Sequence, residues 1–295
     1  MPGTLKIDAR TLAAVDDLSL LARGVVEGFL DGLHRSPFLG YSTEFSAYRP
    51  YTPGDSLRHI DWKVWGRTDE FYVKQFEDDT NLRCHIFLDT SASMNFGEGP
   101  LNKFDYARIL AAVLAELMVR QHDAPGLVLF GEQARLVVPT HASRHHADEI
   151  FQLLSQAQAG GGTRLDESFF RVVEGLSRRG VAVVISDCFT TRETVLELLR
   201  QLHAQRQETI VFHTVAPEEI ELPYEGEYVF EDSESGEEIP VHADHFREAY
   251  QRRVREFCDG IRQSCIELEA DYEQIRTDAP LDVALTGYLE KRAAV

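Results

Sequence analysis

The sequence predicts an α/β fold with three layers, in which a mostly parallel sheet lies between helices on both of its faces. Short apolar runs recur along the chain, and the clearest is Val-Ala-Val-Val-Ile at residues 181–185. Stretches with helical spacing separate these runs, the longest at residues 103–121. Strands covered on both faces are apolar throughout, and parallel neighbours need crossover helices between them. The alternation therefore indicates this architecture.

The first part of the chain has a different pattern of residues. Residues 4–27 carry apolar side chains at helical spacing. Residues 47–77 are aromatic and strand-like, and a Pro-Gly turn of the type II kind interrupts them at residues 52–55. We therefore expect a small N-terminal α/β segment over residues 1–81 and a larger domain over residues 82–295.

In the larger domain, strands and helices alternate in the predicted order. The predicted strands cover residues 84–88, 126–130, 134–138, 181–185, 209–215 and 272–275. The predicted helices cover residues 103–121, 147–156, 165–177, 194–206, 245–268 and 281–292. A β-hairpin with an acidic tip is inserted at about residues 224–242. We expect the helices and the strand that follow the hairpin to add layers to the same sheet.

The charge balance argues against two classes of partner. Acidic residues outnumber basic ones by 49 to 30, and the formal net charge is −19. Nucleic acids and anionic membranes bind proteins through clustered Lys and Arg, which displace counterions, so neither is expected as the main partner. Simple solubility explains the same charge equally well.

The spacing of the cysteines and the N-terminal segment indicate the cellular compartment. Cys84, Cys188, Cys258 and Cys265 show no C-x-x-C spacing, so neither a zinc site nor a disulfide framework is predicted. The segment MPGTLKIDAR lacks the apolar core of a signal peptide. No apolar stretch approaches the roughly 20 residues of a membrane-spanning helix. We expect a cytoplasmic protein without direct membrane insertion.

Oxygen-bearing side chains stand at the predicted ends of distant strands. Asp89 follows the first apolar strand, with Ser91 and Ser93 just beyond it, and Asp187 follows the clearest strand. Thr163 follows three consecutive glycines, where the backbone can approach closely. Ligands bind beyond the carboxyl ends of the strands in a parallel α/β sheet. The five side chains are therefore expected to converge on a site for Mg²⁺, or for another divalent cation such as Mn²⁺.

This donor set predicts binding of a partner protein rather than catalysis. Three of the donors are neutral hydroxyls, so a bound cation keeps positive charge and accepts one further carboxylate from outside. An aspartyl phosphatase needs a second acid two residues after the first, where Ser91 stands. The G-x-S-x-G, H-E-x-x-H and P-loop motifs do not occur. Two alternatives stay open: a structural adaptor whose metal only braces the loops, and a metal-dependent hydrolase.

Five positions resemble the metal-ion-dependent adhesion site of von Willebrand factor A domains: Asp89, Ser91 and Ser93 in DTSAS, Thr163 in GGGTRL, and Asp187 in ISDCF. The resemblance covers roughly residues 83–215, and LVLFGEQARLVVP is similar to the second and third strands of that fold. It implies a von Willebrand A-like, Rossmann-like sheet. One departure is Cys188, because a glycine commonly follows this aspartate, and the departure leaves the conformation of the third loop open.

The flanking segments resemble a bacterial family called domain of unknown function 58, or DUF58. The matching residues are YTPGD at 51–55, Arg58, IDW at 60–62 and Arg67 upstream, and VFEDSESGEEIPV and LTGYLEKR downstream. This resemblance covers nearly the whole chain. It implies a protein often encoded beside a MoxR-type AAA+ ATPase. The expected partner is this ATPase or its client, bound through an acidic residue in a chaperone-like or assembly role.

Two charged features have both a binding and a structural explanation. Arg49, Arg58, Lys63 and Arg67 either form a basic face for an acidic partner or pair with neighbouring acidic residues. The acidic tip at residues 232–238 is either a solvated turn or a contact for a basic groove on an ATPase. We favour the structural explanation for both features, and the binding explanations stay open.

Overall fold

The computed structural model describes residues 9–34, 48–50, 72–74, 82–131, 135–162, 167–176, 179–231 and 236–294. Several residues singled out in the sequence lie outside these ranges: Thr163, the turn at 52–55, the basic residues Arg58, Lys63 and Arg67, and residues 232–235 of the acidic tip.

The N-terminal part contains the helices α1 (Ala9–Ala13) and α2 (Leu18–His34) and the antiparallel strands β1 (Tyr48–Pro50) and β2 (Tyr72–Lys74). The elements that follow are β3 (Arg83–Asp89), α3 (Lys103–Arg120), β4 (Ala124–Phe130), β5 (Arg135–Val138), α4 (Arg144–Gln156), α5 (Glu167–Glu174), β6 (Gly180–Ser186), α6 (Arg192–Ala204) and β7 (Gln207–Val215). The chain then forms α7 (Pro217–Glu221), β8 (Glu227–Glu231), β9 (Glu238–His242), α8 (Ala243–Glu267), β10 (Asp271–Arg276) and α9 (Asp282–Ala294).

The main sheet has the strand order β10-β7-β6-β3-β4-β5, and within it the short edge strand β5 is the one that runs antiparallel to its neighbour. The predicted mostly parallel sheet with helices around it is confirmed, and its topology is von Willebrand A-like. The chain builds outward from β3 to β5 and then returns to the other side of β3 with β6. This reversal leaves a crevice at the carboxyl ends of β3 and β6.

Helices cover both faces of the sheet because successive residues of a strand point to opposite sides. Ile86 of β3 belongs to the apolar core formed with α2, α3, α4 and α9, whereas Phe87 belongs to the core formed with α5, α6 and α8. Within the first core, α3 is buried on nearly all sides. The described helices include none that is both long and apolar enough to span a membrane.

The N-terminal helical region differs from the prediction. The spacing predicts one helix over residues 4–27, whereas the structure has α1 and α2 with a break between them. Asp17 starts α2, because its carboxylate accepts the backbone N–H groups of Ser19 at 2.9 Å and Leu20 at 3.1 Å. A cap of this kind is a local polar contact, so the apolar spacing carries no sign of it.

The inserted hairpin is separate from the main sheet. Its strands β8 and β9 pair with each other in a two-stranded sheet of their own and do not join the main sheet. The strand that extends the main sheet is β10, which lies parallel to β7. The hairpin strands carry three consecutive apolar residues each and are largely exposed, as expected of strands that no helix layer covers.

Candidate functional site

The crevice between β3 and β6 contains two buried carboxylates. Asp89 is the last residue of β3, and Asp187 directly follows β6, so both lie at the same edge of the sheet. The carboxylate of Asp89 accepts the N–H of Ser91 at 2.9 Å through one oxygen and the hydroxyl of Ser186 through the other. Because these bonds occupy both oxygens, Asp89 is held in one orientation.

Two buried hydroxyls lie directly beyond Asp89. Ser91 and Ser93 are 0% and 5% exposed, and their Oγ atoms are 3.0 Å apart. A short 3₁₀ helix, Ala92–Asn95, begins after Ser91, and its tight turn brings these alternate side chains together. The predicted grouping of three oxygen donors in the first loop therefore has a physical basis in this turn.

The glycine-rich loop is bound to the first loop through its backbone. The N–H of Gly160 donates to the carbonyl of Thr90 at 2.8 Å, and the N–H of Ala92 donates to the carbonyl of Gly161 at 2.8 Å. Gly131 packs from the side, where a Cβ atom would lie only 2.9 Å from the hydroxyl of Thr90. The loop is therefore anchored at the site up to residue 162, while Thr163 lies outside the described residues.

Cys188 adopts the backbone conformation that a glycine would favour. Its φ angle is +53°, in the left-handed region, and its N–H donates to the hydroxyl of Ser186 at 2.9 Å. The next N–H, that of Phe189, donates to Asp187 at 3.0 Å. The departure from glycine at this position therefore leaves the turn intact, at the cost of local backbone strain.

Lys103 is a member of the site that sequence reasoning missed. It is 1% exposed, and its ammonium group donates to Asp187 at 2.7 Å and also to Glu219. In the sequence, this residue is predicted only as the start of a long helix. A lysine in the first turn of a helix faces the positive end of the helix dipole. That unfavourable position was the available signal for a buried partner carboxylate.

The electrostatics of the crevice favour a cation. Burial raises the pKa of Asp89, and the negative charge of Asp187 raises it further. Burial lowers the pKa of Lys103, but the carboxylates of Asp187 and Glu219 raise it by more, so the net shift is upward and the lysine stays charged. Lys103 therefore compensates Asp187 and Glu219, whereas Asp89 has hydroxyl and N–H donors and no cationic partner among the described residues.

The donor chemistry fits a hard divalent ion. Asp89, Ser91 and Ser93 offer oxygen atoms only, and Mg²⁺ prefers oxygen ligands and keeps several of its waters. Among the described residues there is no group of three or more His, Cys, Asp or Glu side chains that would suit a softer metal or a closed carboxylate cage. The residues present therefore fit the predicted ion, and the five predicted ligands remain a prediction.

Two aromatic side chains flank the crevice. Phe96 follows the 3₁₀ helix and is 37% exposed, and Phe189 lies two residues beyond Asp187 and is 59% exposed. Exposed aromatic residues beside a polar centre are typical of surfaces that bind other proteins. Neither residue was predicted, because one exposed aromatic residue in a loop has no periodic signal.

The sequence was compared with protein families and curated proteins. The family described as "Protein of unknown function DUF58" matches residues 47–258. Uncharacterized proteins of Mycobacterium tuberculosis and Mycobacterium bovis are 32% identical to this chain over 234 residues, which is 78% of this chain and 73% of each relative.

Solved structures similar to this one include BatB from Bacteroides thetaiotaomicron, with 19% identity and a TM-score of 0.49, covering 72% of this chain and 100% of that one. An aerotolerance-related membrane protein from Bacteroides fragilis has 18% identity and a TM-score of 0.48 with the same coverage. The SpRpn10 VWA domain has 11% identity and a TM-score of 0.39, covering 71% of this chain and 95% of that one. The strand order, and not these moderate scores, identifies the fold.

Proposed function

The chain belongs to the DUF58 family, whose von Willebrand A-like fold suggests a protein-interaction module, and we propose that it binds its partner through a divalent cation. The cation is Mg²⁺, or a related ion such as Mn²⁺. The partner is a MoxR-type AAA+ ATPase or its client, in a chaperone-like or assembly role in the cytoplasm. In this proposal the protein itself catalyses no reaction.

The observation that carries the proposal is the arrangement of Asp89, Ser91 and Ser93. These side chains are buried, and their oxygen atoms lie at the switch point of the sheet. Burial raises the pKa of Asp89, and the negative charge of Asp187 raises it further. Buried oxygen donors at such a position favour a positive ion over water. We assign the ligands to Asp89, Ser91 and Ser93 together with Thr163 and Asp187.

Lys103 sets the net charge of the proposed site. The ammonium group of Lys103 is bonded to Asp187 and already neutralises most of the charge of that carboxylate, so Asp187 contributes little charge toward a second cation. Asp89 is then the one carboxylate of the predicted set without a bonded cation. A Mg²⁺ ion bound here would supply a centre of positive charge that accepts a carboxylate from another protein. Phe96 and Phe189 are placed to contact apolar groups around that carboxylate.

The test separates cation binding from partner binding. We expect Asp89→Asn to weaken Mg²⁺ or Mn²⁺ binding in calorimetry by about tenfold or more, because the substitution removes a charged ligand and keeps its shape. Asp105→Asn is the matched control, since it removes the same charge from the first turn of α3. Capture of the purified ATPase by the wild type should fall with EDTA and with Asp89→Asn, and should persist with Asp105→Asn.

Two results would count against the proposal. Equal cation affinity in wild type and Asp89→Asn would show that the cation does not bind at this site. If partner capture survives both EDTA and Asp89→Asn while thermal stability falls, the ion only braces the loops, and the chain is a structural adaptor.

A further inference from the structure

The inserted hairpin carries an apolar surface that the described chain covers only in part. Tyr228 pairs with Val241 and Phe230 pairs with Ile239, so these four side chains share one face of the two strands. Tyr228 is 42% exposed and Ile239 is 54% exposed. On the opposite face Val229 is 61% exposed. The rest of that face is mainly charged, because Glu227, Glu231 and Glu238 lie on it, so the apolar surface is the face of Tyr228 and Ile239.

The base of the hairpin is nevertheless firmly held. The N–H of Ala243 donates to the carbonyl of Gly226 at 2.8 Å, and the guanidinium of Arg247 donates to the carbonyls of Leu222 at 3.1 Å and Tyr224 at 2.6 Å. An isolated two-stranded hairpin is only marginally stable in water. The anchored base therefore presents this surface in a defined position, which lowers the entropic cost of binding a partner.

Aromatic rings concentrate at the base of the exposed face. The ring of Tyr224 lies 5.1 Å from that of Tyr228 and 5.7 Å from that of Phe230. In α8, which follows the hairpin directly, Phe246 is 45% exposed and lies 6.1 Å from Tyr250. Clustered aromatic residues provide most of the binding energy in many protein interfaces.

The charge around this face selects the kind of partner. Exposed glutamates lie at the hairpin base, near its tip and on the back of the ribbon, where the rim of a groove holding the apolar face would meet them: Glu225, Glu237, Glu227, Glu231 and Glu238. A second copy of the chain would bring the same glutamates together, and each copy has a net charge of −19. Like charges brought together at an interface cost binding energy, whereas a ring of Lys and Arg would be attracted. The charge therefore disfavours self-association.

We propose that the hairpin face formed by Tyr228, Phe230, Ile239 and Val241 docks into an apolar groove of a partner protein whose rim is basic. This surface is separate from the cation site and does not depend on it. The two are close enough for one partner to use both, because the hydroxyl of Tyr224 donates to Glu98 at 2.8 Å, and Glu98 lies in the loop that follows the 3₁₀ helix.

The first experiment uses the full-length protein in its native host. A photo-crosslinking residue replaces the aromatic side chain in Phe230→p-benzoylphenylalanine. The same label in Ile266→p-benzoylphenylalanine is the control, because Ile266 is 61% exposed on α8 outside the hairpin. We expect a crosslinked adduct from position 230 that is absent from position 266. A failure to form any adduct, or an adduct with a second copy of this chain alone, would overturn the proposal.

The second experiment uses the crosslinked protein after purification. We expect Tyr228→Ser to weaken its binding about tenfold or more, as for an interface hot spot, and Ile266→Ser to leave binding unchanged. Glu227→Lys and Glu231→Lys together should also weaken binding, and added salt should weaken binding to the wild type. Unchanged affinity in Tyr228→Ser, or binding that strengthens with salt, would contradict the proposal. Retention of the adduct in Asp89→Asn would separate this surface from the cation site.

Discussion

At the scale of single residues, Lys103 has the largest effect on the candidate site. Its ammonium group joins Asp187 at the end of β6 to Glu219 in α7, and all three side chains are largely removed from water. Breaking a buried ion pair by removing one partner is strongly destabilising, because the other charge stays buried. The same lysine limits the negative charge that is available to a metal ion.

We predict that Lys103→Met lowers the free energy of unfolding by about 3–5 kcal/mol, since it leaves the carboxylates of Asp187 and Glu219 without their cation. The control is Arg108→Met on the same helix, where the ion pair with Asp105 is partly exposed and contributes less than about 1 kcal/mol. Urea unfolding of both variants measures the difference. Mg²⁺ should also restore more stability to Lys103→Met than it adds to the wild type. Equal stability of the two variants would mean that the buried pair does not stabilise the fold.

At the scale of elements, the turn after β6 and the helix α2 show how local structure depends on tertiary contacts. The turn holds Cys188 in a left-handed conformation, because Ser186 accepts the N–H of Cys188 and Asp187 accepts the N–H of Phe189. Helix α2 is stabilised by burial, since Ala22 and Val26 are 0% exposed and belong to the same core as α3.

The strain at Cys188 predicts that a glycine is tolerated at this position and that a valine destabilises the protein. Cys188→Gly should change stability by no more than about 1 kcal/mol, because relief of the left-handed strain offsets the loss of the buried thiol. Cys188→Val should destabilise by about 2 kcal/mol or more, since a β-branched residue is a poor fit at positive φ. Thermal unfolding of both variants measures this difference. A valine variant as stable as the glycine variant would contradict a left-handed residue here.

The packing of α2 predicts that the N-terminal region contributes to the stability of the main domain. Val26→Ala should lower the free energy of unfolding by about 1–2 kcal/mol, because it removes buried methyl groups from the core shared with α3. Leu20→Ala is the matched control on the same helix, since Leu20 is 65% exposed and its truncation should have little effect. The measurement is the denaturant midpoint. A single transition that moves with Val26→Ala would show the coupling, and an unmoved midpoint would show that α2 packs independently.

At the scale of the whole molecule, the net charge of −19 acts against compaction. Ion pairs such as Arg192 with Glu267 and Arg276 with Asp278 offset this repulsion locally, but they lie at the surface and are screened. The protein is therefore expected to respond to general ionic strength as well as to any specific ion.

We predict that raising NaCl from about 0.01 M to about 0.15 M increases the melting temperature, because the Debye length falls from about 30 Å to about 8 Å and the repulsion is screened. At matched ionic strength, MgCl₂ should raise the melting temperature further in the wild type and not in Asp89→Asn. Differential scanning calorimetry distinguishes the two effects. An equal rise in melting temperature for both proteins in MgCl₂ would mean that Mg²⁺ acts only by nonspecific screening.

Sequence patterns predicted most of the sheet and part of the site. Apolar runs located the strands that became β3, β4, β6 and β7, because burial on both faces demands such runs. The spacing also placed Asp89 and Asp187 at the carboxyl ends of two of these strands, and the topology made those strands neighbours. The break before α2 was missed, since it depends on the polar cap at Asp17.

The sequence by itself determined the α/β class and the succession of strands and helices along the chain, since both follow from periodicity over short segments. Only the tertiary structure decided that Lys103 meets Asp187 and Glu219, which are 84 and 116 residues further along the chain. The physical reason is the range of the forces involved. Apolar spacing records what each segment buries locally, whereas a buried ion pair, a strained turn and a largely exposed hairpin depend on which distant segments come together.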